Sequence, residues 1–183
     1  IVRLHHNEEN AVIKKVFLGL LALLLLLATA VGINTARKGS RQLQVAPLVP
    51  VAVDEKAVAE RLGEAVRFQT IASREDANLN ADQFKAFHAM LQARFPKVHA
   101  TLKREVVGGL SLLYTWEGAA PKTKPLLLLA HQDVVPVAPG TEGDWKEAPF
   151  SGAVKDGYVW GRGAWDDKGN LMGQMEAVEM LLA

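Results

Sequence analysis

Residues 126–136 read LLLLAHQDVVP, an apolar run that changes abruptly to polar residues. Its first part, residues 126–130, is apolar on both faces of an extended chain, as is typical of a central strand covered by helices. Polar residues begin directly after this run, at His131. Because ligands of open α/β sheets bind beyond the carboxyl ends of the strands, the junction predicts a site at a sheet edge.

Helices and then strands precede this stretch. Apolar residues at helical spacing predict one helix that begins after an N-cap at Asp54, and another that begins after Asn80. Residues 99–107 and 110–116 are β-prone runs separated by a glycine pair, so we expect them to form a hairpin.

A second hairpin and a helix follow the stretch. Residues 151–163 contain Asp156-Gly157, a dipeptide typical of tight hairpin turns. From about Lys168, apolar residues again recur at helical spacing. The order of these elements predicts an α/β fold, with a mixed sheet flanked by helices.

An apolar segment lies near the N-terminus. Residues 16–33 (VFLGLLALLLLLATAVGI) carry no charge, and a run of about twenty such residues spans a bilayer core. A signal sequence cleaved after Ala28-Thr29-Ala30 is the alternative. We favour a transmembrane signal anchor, because the run continues past that cleavage site; residues 1–15 would be its N-terminal flank.

The remaining chain divides into a linker and one domain. Residues 34–51 are polar and then rich in proline, as linkers often are. Residues 52–183 are expected to form the N-terminal part of a larger domain, truncated inside a helix. Both interpretations of the apolar segment predict export. The protein is either a single-pass membrane protein with an extracytoplasmic domain, or a secreted protein if the leader is cleaved.

Composition excludes several kinds of site. The chain has no cysteine, which rules out disulfides, cysteine zinc sites and thiolate nucleophiles. Its formal net charge is +1 and its basic residues form no long stripe, so we expect no nucleic-acid partner. A G-x-S-x-G motif, typical of serine hydrolases, does not occur. Any metal must therefore be bound by histidine and carboxylate side chains.

The first pair of candidate residues is His131 and Asp133. A neutral imidazole is a good zinc ligand, and a nearby carboxylate can accept its other N–H and fix its tautomer. Side chains two residues apart lie on the same side of an extended backbone, so Asp133 can orient His131. The alternative is a polar turn after a core strand.

The second candidate segment is residues 161–169, which read GRGAWDDKG. It matches neither a phosphate-binding glycine loop nor a calcium loop. Its glycines lead into two adjacent carboxylates at the start of a helix, where Asp166 can ligate a metal and bridge two ions with its two oxygens. The alternative is that Asp166 or Asp167 caps the helix.

Together the two segments resemble a known family. HQDVVP, then DWKEAPFSG, then DGYVWGRGAWDDKG are similar to the zinc metallopeptidase family of glutamate carboxypeptidase, diaminopimelate desuccinylase and the aminoacylases. The likeness is greatest to the branch of carboxypeptidase S and the N-acyl-amino-acid hydrolases. It covers roughly residues 53–183 and rests on the content, order and spacing of the motifs.

The resemblance implies a site with two zinc ions. His131 would ligate one ion, Asp166 would bridge both, and Asp133 would orient His131; a cis peptide would join Asp166 to Asp167. The implied reaction is hydrolysis of an amide bond in small substrates with a free carboxylate, either dipeptides or N-acyl amino acids.

The family pattern also contains parts that this chain lacks. A Glu-Glu pair with the general base, a later acidic ligand, a distant histidine ligand and a smaller dimerisation domain are expected downstream of Asp166. Zinc sites use three or four protein ligands, so the chain as given should bind zinc poorly and be inactive. The full-length protein would be the enzyme and a homodimer. The alternative function is a membrane-tethered, non-catalytic binding protein that retains the fold.

Overall fold

The computed structural model describes residues 2–47, 49–76, 78–120 and 122–183. Its helices and short strands confirm the α/β class predicted from the sequence. The elements, in chain order, are α1 (Val2–Arg37), α2 (Glu55–Arg67), α3 (Ala81–Arg94), α4 (Pro96–Thr101), β1 (Lys103–Val107), β2 (Ser111–Thr115), β3 (Ala153–Lys155), β4 (Tyr158–Trp160) and α5 (Lys168–Leu181).

The first of two compact units, Ile1–Pro50, consists of α1 and an irregular segment. Within α1, Ala11–Arg37 is long and apolar enough to cross a membrane. The hydroxyl of Thr29 donates to the carbonyl of Leu25 at 2.7 Å, so it leaves no unpaired polar group in the apolar run. The helix ends at Arg37, inside the stretch that was predicted as linker. An apolar run predicts the segment that spans a membrane, but it does not predict the residue at which helical hydrogen bonding ends.

The second unit, Val51–Ala183, is built on four helices in its described residues. The predicted N-cap of α2 is confirmed, since the Asp54 carboxylate accepts the Ala57 N–H at 3.0 Å. The predicted start of α3 after Asn80 is also confirmed. The helices bury a common apolar cluster, whose fully or nearly fully buried members are Ala65, Phe87, Met90, Leu91, Phe95, Val98 and Met172.

The described strands form two antiparallel hairpins, β1–β2 and β3–β4. In the second hairpin, Asp156 and Gly157 have φ of 55° and 78°. Positive φ at both central residues is what a type I′ turn requires, so the predicted turn is confirmed. In the first hairpin, the predicted strand from residue 99 starts only at Lys103. The residues before it form α4, because Pro96 pre-sets the backbone at the first turn of a helix.

The prediction of a buried central strand at residues 126–130 is wrong for this structure. These residues form no strand, and Leu126 and Leu129 are 86% and 73% exposed. A strand requires hydrogen-bonded neighbours, and in the described part of this region the one ladder contact is the parallel bridge between Ile71 and Val134. The apolar run favours burial, but in the described residues no neighbouring strand or helix covers it.

A buried cation joins α2 to the start of α5. The ammonium of Lys168, which is fully buried, donates to the carbonyl oxygens of Ala65 at 2.9 Å and Phe68 at 2.6 Å. These carbonyls belong to the C-terminal end of α2, where a helix has unpaired acceptors and a partial negative charge. Burial lowers the pKa of Lys168 to about 8.

Two carboxylates of α5 make further contacts. Glu176 accepts two hydrogen bonds from the Arg61 guanidinium of α2, at 2.5 and 2.8 Å. Glu179 accepts the backbone N–H groups of Lys97 and Val98, in the first turn of α4. A carboxylate that accepts two hydrogen bonds is fixed in orientation as well as in distance. Glu176 therefore holds α5 against α2, and Glu179 holds it against α4.

The approach of α2 to the segment before β3 requires glycine at Gly63. A Cβ atom at this position would lie 2.5 Å from the Gly152 carbonyl oxygen, whereas one at Gly173 in α5 would meet nothing within 4 Å. We expect Gly63→Ala to lower the free energy of unfolding by about 1–3 kcal/mol through overpacking. Gly173→Ala, the matched control, should raise it by about 0.5–1 kcal/mol. Chemical denaturation measures both, and equal effects would contradict the close approach.

Lys168→Met removes the ammonium but keeps a long side chain. The carbonyls of Ala65 and Phe68 then lose their donor, which destabilises the folded protein by about 1–3 kcal/mol for each carbonyl. The variant also avoids the free-energy cost of burying a charge, which offsets part of this loss. We expect a net loss of about 2 kcal/mol in the free energy of unfolding, measured by denaturation. Lys56→Met, at an exposed position of α2, is the control and should change it by less than about 0.5 kcal/mol. A Lys168 variant as stable as the control would show that the ammonium does not hold α2.

Candidate metal centre

The two predicted metal ligands lie side by side. The Nε2 atom of His131 is 2.9 Å from the Oδ1 atom of Asp166, although 35 positions separate the two residues. His131 follows the exposed apolar run, and Asp166 lies in the turn that precedes α5. Nothing local in the sequence brings them together, so the contact is a product of the fold.

Asp133 faces the other ring nitrogen of His131. The Nδ1 atom of His131 is 3.0 Å from the backbone carbonyl oxygen of Asp133 and 3.3 Å from its carboxylate. Either oxygen can accept an Nδ1–H and so leave Nε2 without a proton for a metal. The geometry is what an orienting residue needs, and the role of Asp133 stays a prediction.

Asp167 has a position that the sequence did not reveal. Its Oδ2 atom accepts the backbone N–H of His131 at 3.0 Å, and the Asn170 side chain donates to the same oxygen at 3.4 Å. Asp167 is the N-cap residue of α5, as the helix-cap alternative predicted, but its carboxylate makes no capping hydrogen bond to the helix. The cis peptide between Asp166 and Asp167, which the family resemblance implied, is present.

Carboxylates dominate the surroundings of His131. Burial lowers the pKa of His131, but the hydrogen bond with Asp166, the Asp133 carbonyl and the charges of Asp133 and Asp167 outweigh it. The pKa therefore lies above its usual value. Three negative charges around one imidazole make this part of the surface attractive to cations.

His131 and Asp166 are suitable types of metal ligand, but two protein ligands are too few for a complete zinc site. One offers an imidazole nitrogen and the other a carboxylate oxygen, and their side chains are 50% and 81% exposed. Zinc accepts both donor types, but a catalytic site usually has three protein ligands. In the described ranges of the chain, no group of three or more histidine, cysteine, aspartate or glutamate side chains is placed to hold an ion. The residues therefore supply part of a donor set.

The two residues line a cleft of about 220 Å³. Three further side chains of the cleft were not singled out from the sequence: Trp145, Arg162 and Trp165. The Arg162 guanidinium lies 5.0 Å from the centre of the Trp145 ring. The Trp165 side chain, directly before Asp166, is 93% exposed. Arg162 and Trp165 lie within the GRGAWDDKG segment and Trp145 lies within DWKEAPFSG, so both quoted motifs contained them.

A larger cleft, of about 480 Å³, lies elsewhere, against α2. Its charged lining includes Arg61 and Arg94, which are paired with Glu176 and Glu64 at 2.5 and 2.8 Å. Because these charges neutralise each other, we regard the cleft of His131 and Asp166 as the candidate site.

The chain is similar to known hydrolases. Residues 127–183, which contain both candidate ligands, match the family described as peptidase family M20/M25/M40. Carboxypeptidase S of Saccharomyces cerevisiae is 45% identical over 130 residues, which cover 67% of this chain and 23% of that protein. The N-fatty-acyl-amino acid synthase/hydrolase PM20D1 of Mus musculus is 38% identical over 166 residues, which cover 87% of this chain and 32% of that protein.

A solved structure supports the same relationship. An M20 family metallo-carboxypeptidase from Sulfolobus solfataricus aligns with a TM-score of 0.51 and 26% identity, over 71% of this chain and 28% of that one. The chain spans about a third or less of the length of these relatives. The predicted family resemblance is therefore confirmed: the chain is a relative of the metallopeptidases of peptidase family M20/M25/M40.

Proposed function

We propose that a full-length protein containing this chain is a zinc-dependent amidohydrolase. The observation that carries the proposal is the 2.9 Å approach of His131 Nε2 to Asp166 Oδ1, which joins a nitrogen and an oxygen ligand across 35 positions. The names of the relatives, a carboxypeptidase and an N-fatty-acyl-amino acid hydrolase, support cleavage of amide bonds.

His131 and Asp166 would hold the metal in this proposal. His131 would ligate one zinc ion through Nε2, and Asp166 would bridge two ions with its two oxygens. Asp133 would keep the imidazole in the tautomer that leaves Nε2 free. When bound, the zinc ions would supply polarisation of the scissile carbonyl and activation of water. The general base and the remaining ligands would come from parts of the protein outside this chain.

The substrates in this proposal are small molecules with a free carboxylate, either dipeptides or N-acyl amino acids. The cleft supports the choice, because Arg162 offers a guanidinium to a carboxylate beside the two candidate ligands. Trp145 and Trp165 offer apolar surface to the rest of the substrate. Dimer formation through a further domain, and the lack of a nucleic-acid partner, stay predictions.

The apolar helix supports a membrane location. We propose that α1 anchors the protein as a single-pass signal anchor, with the catalytic domain on the extracytoplasmic side. The support is the membrane-spanning length of Ala11–Arg37. Secretion after cleavage is the alternative, and N-terminal sequencing of the mature protein distinguishes the two.

A second candidate function is a membrane-tethered protein that binds ligands without catalysis. The cleft that His131 and Asp166 line offers room for a ligand whether or not the protein carries a complete donor set. Turnover by the full-length protein decides against it.

His131→Ala in the full-length protein should abolish turnover, because it removes a zinc ligand. We expect kcat/KM to fall by more than about 100-fold, beyond the loss typical of residues that only support a ligand. Release of amino acids from N-acyl amino acids and Gly-X dipeptides measures this, with a chelator-treated sample alongside. His99→Ala is the control, since that imidazole bonds Tyr114 and Phe95 instead. Full activity in the His131 variant would refute the metal assignment.

The 183-residue chain by itself should bind zinc weakly and hydrolyse nothing, because it contributes two donors where three or four are needed. Zinc titration against a competing chelator should give an affinity at least about 100-fold below that of the full-length protein. Substantial zinc-dependent hydrolysis by the chain alone would show that the donor set is complete without downstream residues.

A further inference from the structure

Gln132 stands between His131 and Asp133 and is held by three hydrogen bonds. Its backbone carbonyl accepts the hydroxyl of Thr70 at 2.6 Å. Its side-chain oxygen lies 2.7 Å from Nε2 of His88, and its side-chain amide donates to the carbonyl of Leu110 at 2.5 Å. The three partners come from the segment after α2, from α3 and from the β1–β2 turn, so one residue is fixed from three directions.

The donors and acceptors of this arrangement are determined. The amide nitrogen of Gln132 faces a carbonyl, which can only accept, so the amide oxygen must face His88. His88 must then donate its Nε2–H to that oxygen. Burial lowers the pKa of His88, which is consistent with a neutral ring, and the side chain of His88 is 7% exposed.

Thr70 holds the same segment at a second point. Its backbone carbonyl accepts the N–H of Val134 at 2.9 Å, next to the bridge between Ile71 and Val134. Thr70 is fully buried. It therefore fixes residues 132 and 134, on either side of Asp133, from inside the domain.

The hydrogen bonds of Gln132 and Thr70 affect the direction in which the His131 side chain points. Adjacent side chains of an extended segment point to opposite sides, and here Gln132 reaches the interior while His131 reaches Asp166. The side chain of His131 is half exposed, and the leucines before it lie outside any strand. Rotation of the backbone at residue 132 would carry both neighbours away from Asp166.

We propose that Thr70, Gln132 and His88 form an anchor that positions His131, and through it sets the affinity and geometry of metal binding. This inference rests on the proposed function, because the metal is what His131 would bind. The three are positioning residues: Gln132 acts through the backbone that it shares with His131, and Thr70 and His88 act through Gln132.

Thr70→Val tests the anchor in the full-length protein, because it removes the hydroxyl at nearly constant shape. We expect zinc affinity, measured by competition with a chelator, to fall about 10- to 100-fold. The visible absorption spectrum of the cobalt-substituted protein should also change, since it reports ligand geometry. Thr70→Ser keeps the hydroxyl and should restore affinity and spectrum to within about threefold of the wild type. Thr115→Val, in β2, is the matched control and should alter neither.

His88→Leu is the second variant, in case Thr70→Val does not fold, and it should weaken zinc binding in the same direction. His88→Gln retains a donor and should recover most of the affinity. A folded Thr70→Val or His88→Leu protein with unchanged zinc affinity and cobalt spectrum would overturn the anchor. If zinc affinity is also unchanged in His131→Ala, the proposed function fails as well; if His131→Ala alone loses zinc, only the anchor fails.

Discussion

Lys168 places its ammonium inside the domain, where it donates to the carbonyl oxygens of Ala65 and Phe68 at the end of α2. A buried charge is tolerated only where such acceptors surround it, so the position of α5 relative to α2 is narrowly constrained. Asp166 and Asp167 directly precede this lysine. The contact that joins α2 to the start of α5 therefore also constrains the turn that carries the candidate bridging ligand.

The other half of the site depends on a different set of contacts. His131 reaches Asp166 with its ring, and its backbone N–H donates to Asp167. Gln132, the next residue, is tied to the interior by buried polar groups. Polar groups buried in this way are costly unless every partner is in place, which favours one arrangement of the segment. The half-exposed imidazole therefore follows a residue that several hydrogen bonds hold in place, as precise ligand sites require.

Much of the local structure could be predicted from the sequence. The Asp54 cap and the Asp156-Gly157 turn are short-range features, decided by the residues at those positions. The resemblance of two motifs to a family predicted His131 and Asp166 as metal ligands. The buried strand at residues 126–130 was predicted wrongly, because an apolar pattern indicates a tendency to be buried but does not supply the hydrogen-bonded neighbours. The role of Asp167 and the Gln132 anchor could not be predicted, since side-chain bonds to remote backbone atoms leave no periodic signal.

We propose that His131 and Asp166 are two donors of one dinuclear zinc centre. Anomalous diffraction at the zinc edge, from crystals of the full-length protein grown with zinc, tests it most directly. We expect two peaks, one at about 2.1 Å from Nε2 of His131 and both within bonding distance of the Asp166 carboxylate. Fully occupied zinc positions elsewhere, with none in contact with His131 or Asp166, would contradict it.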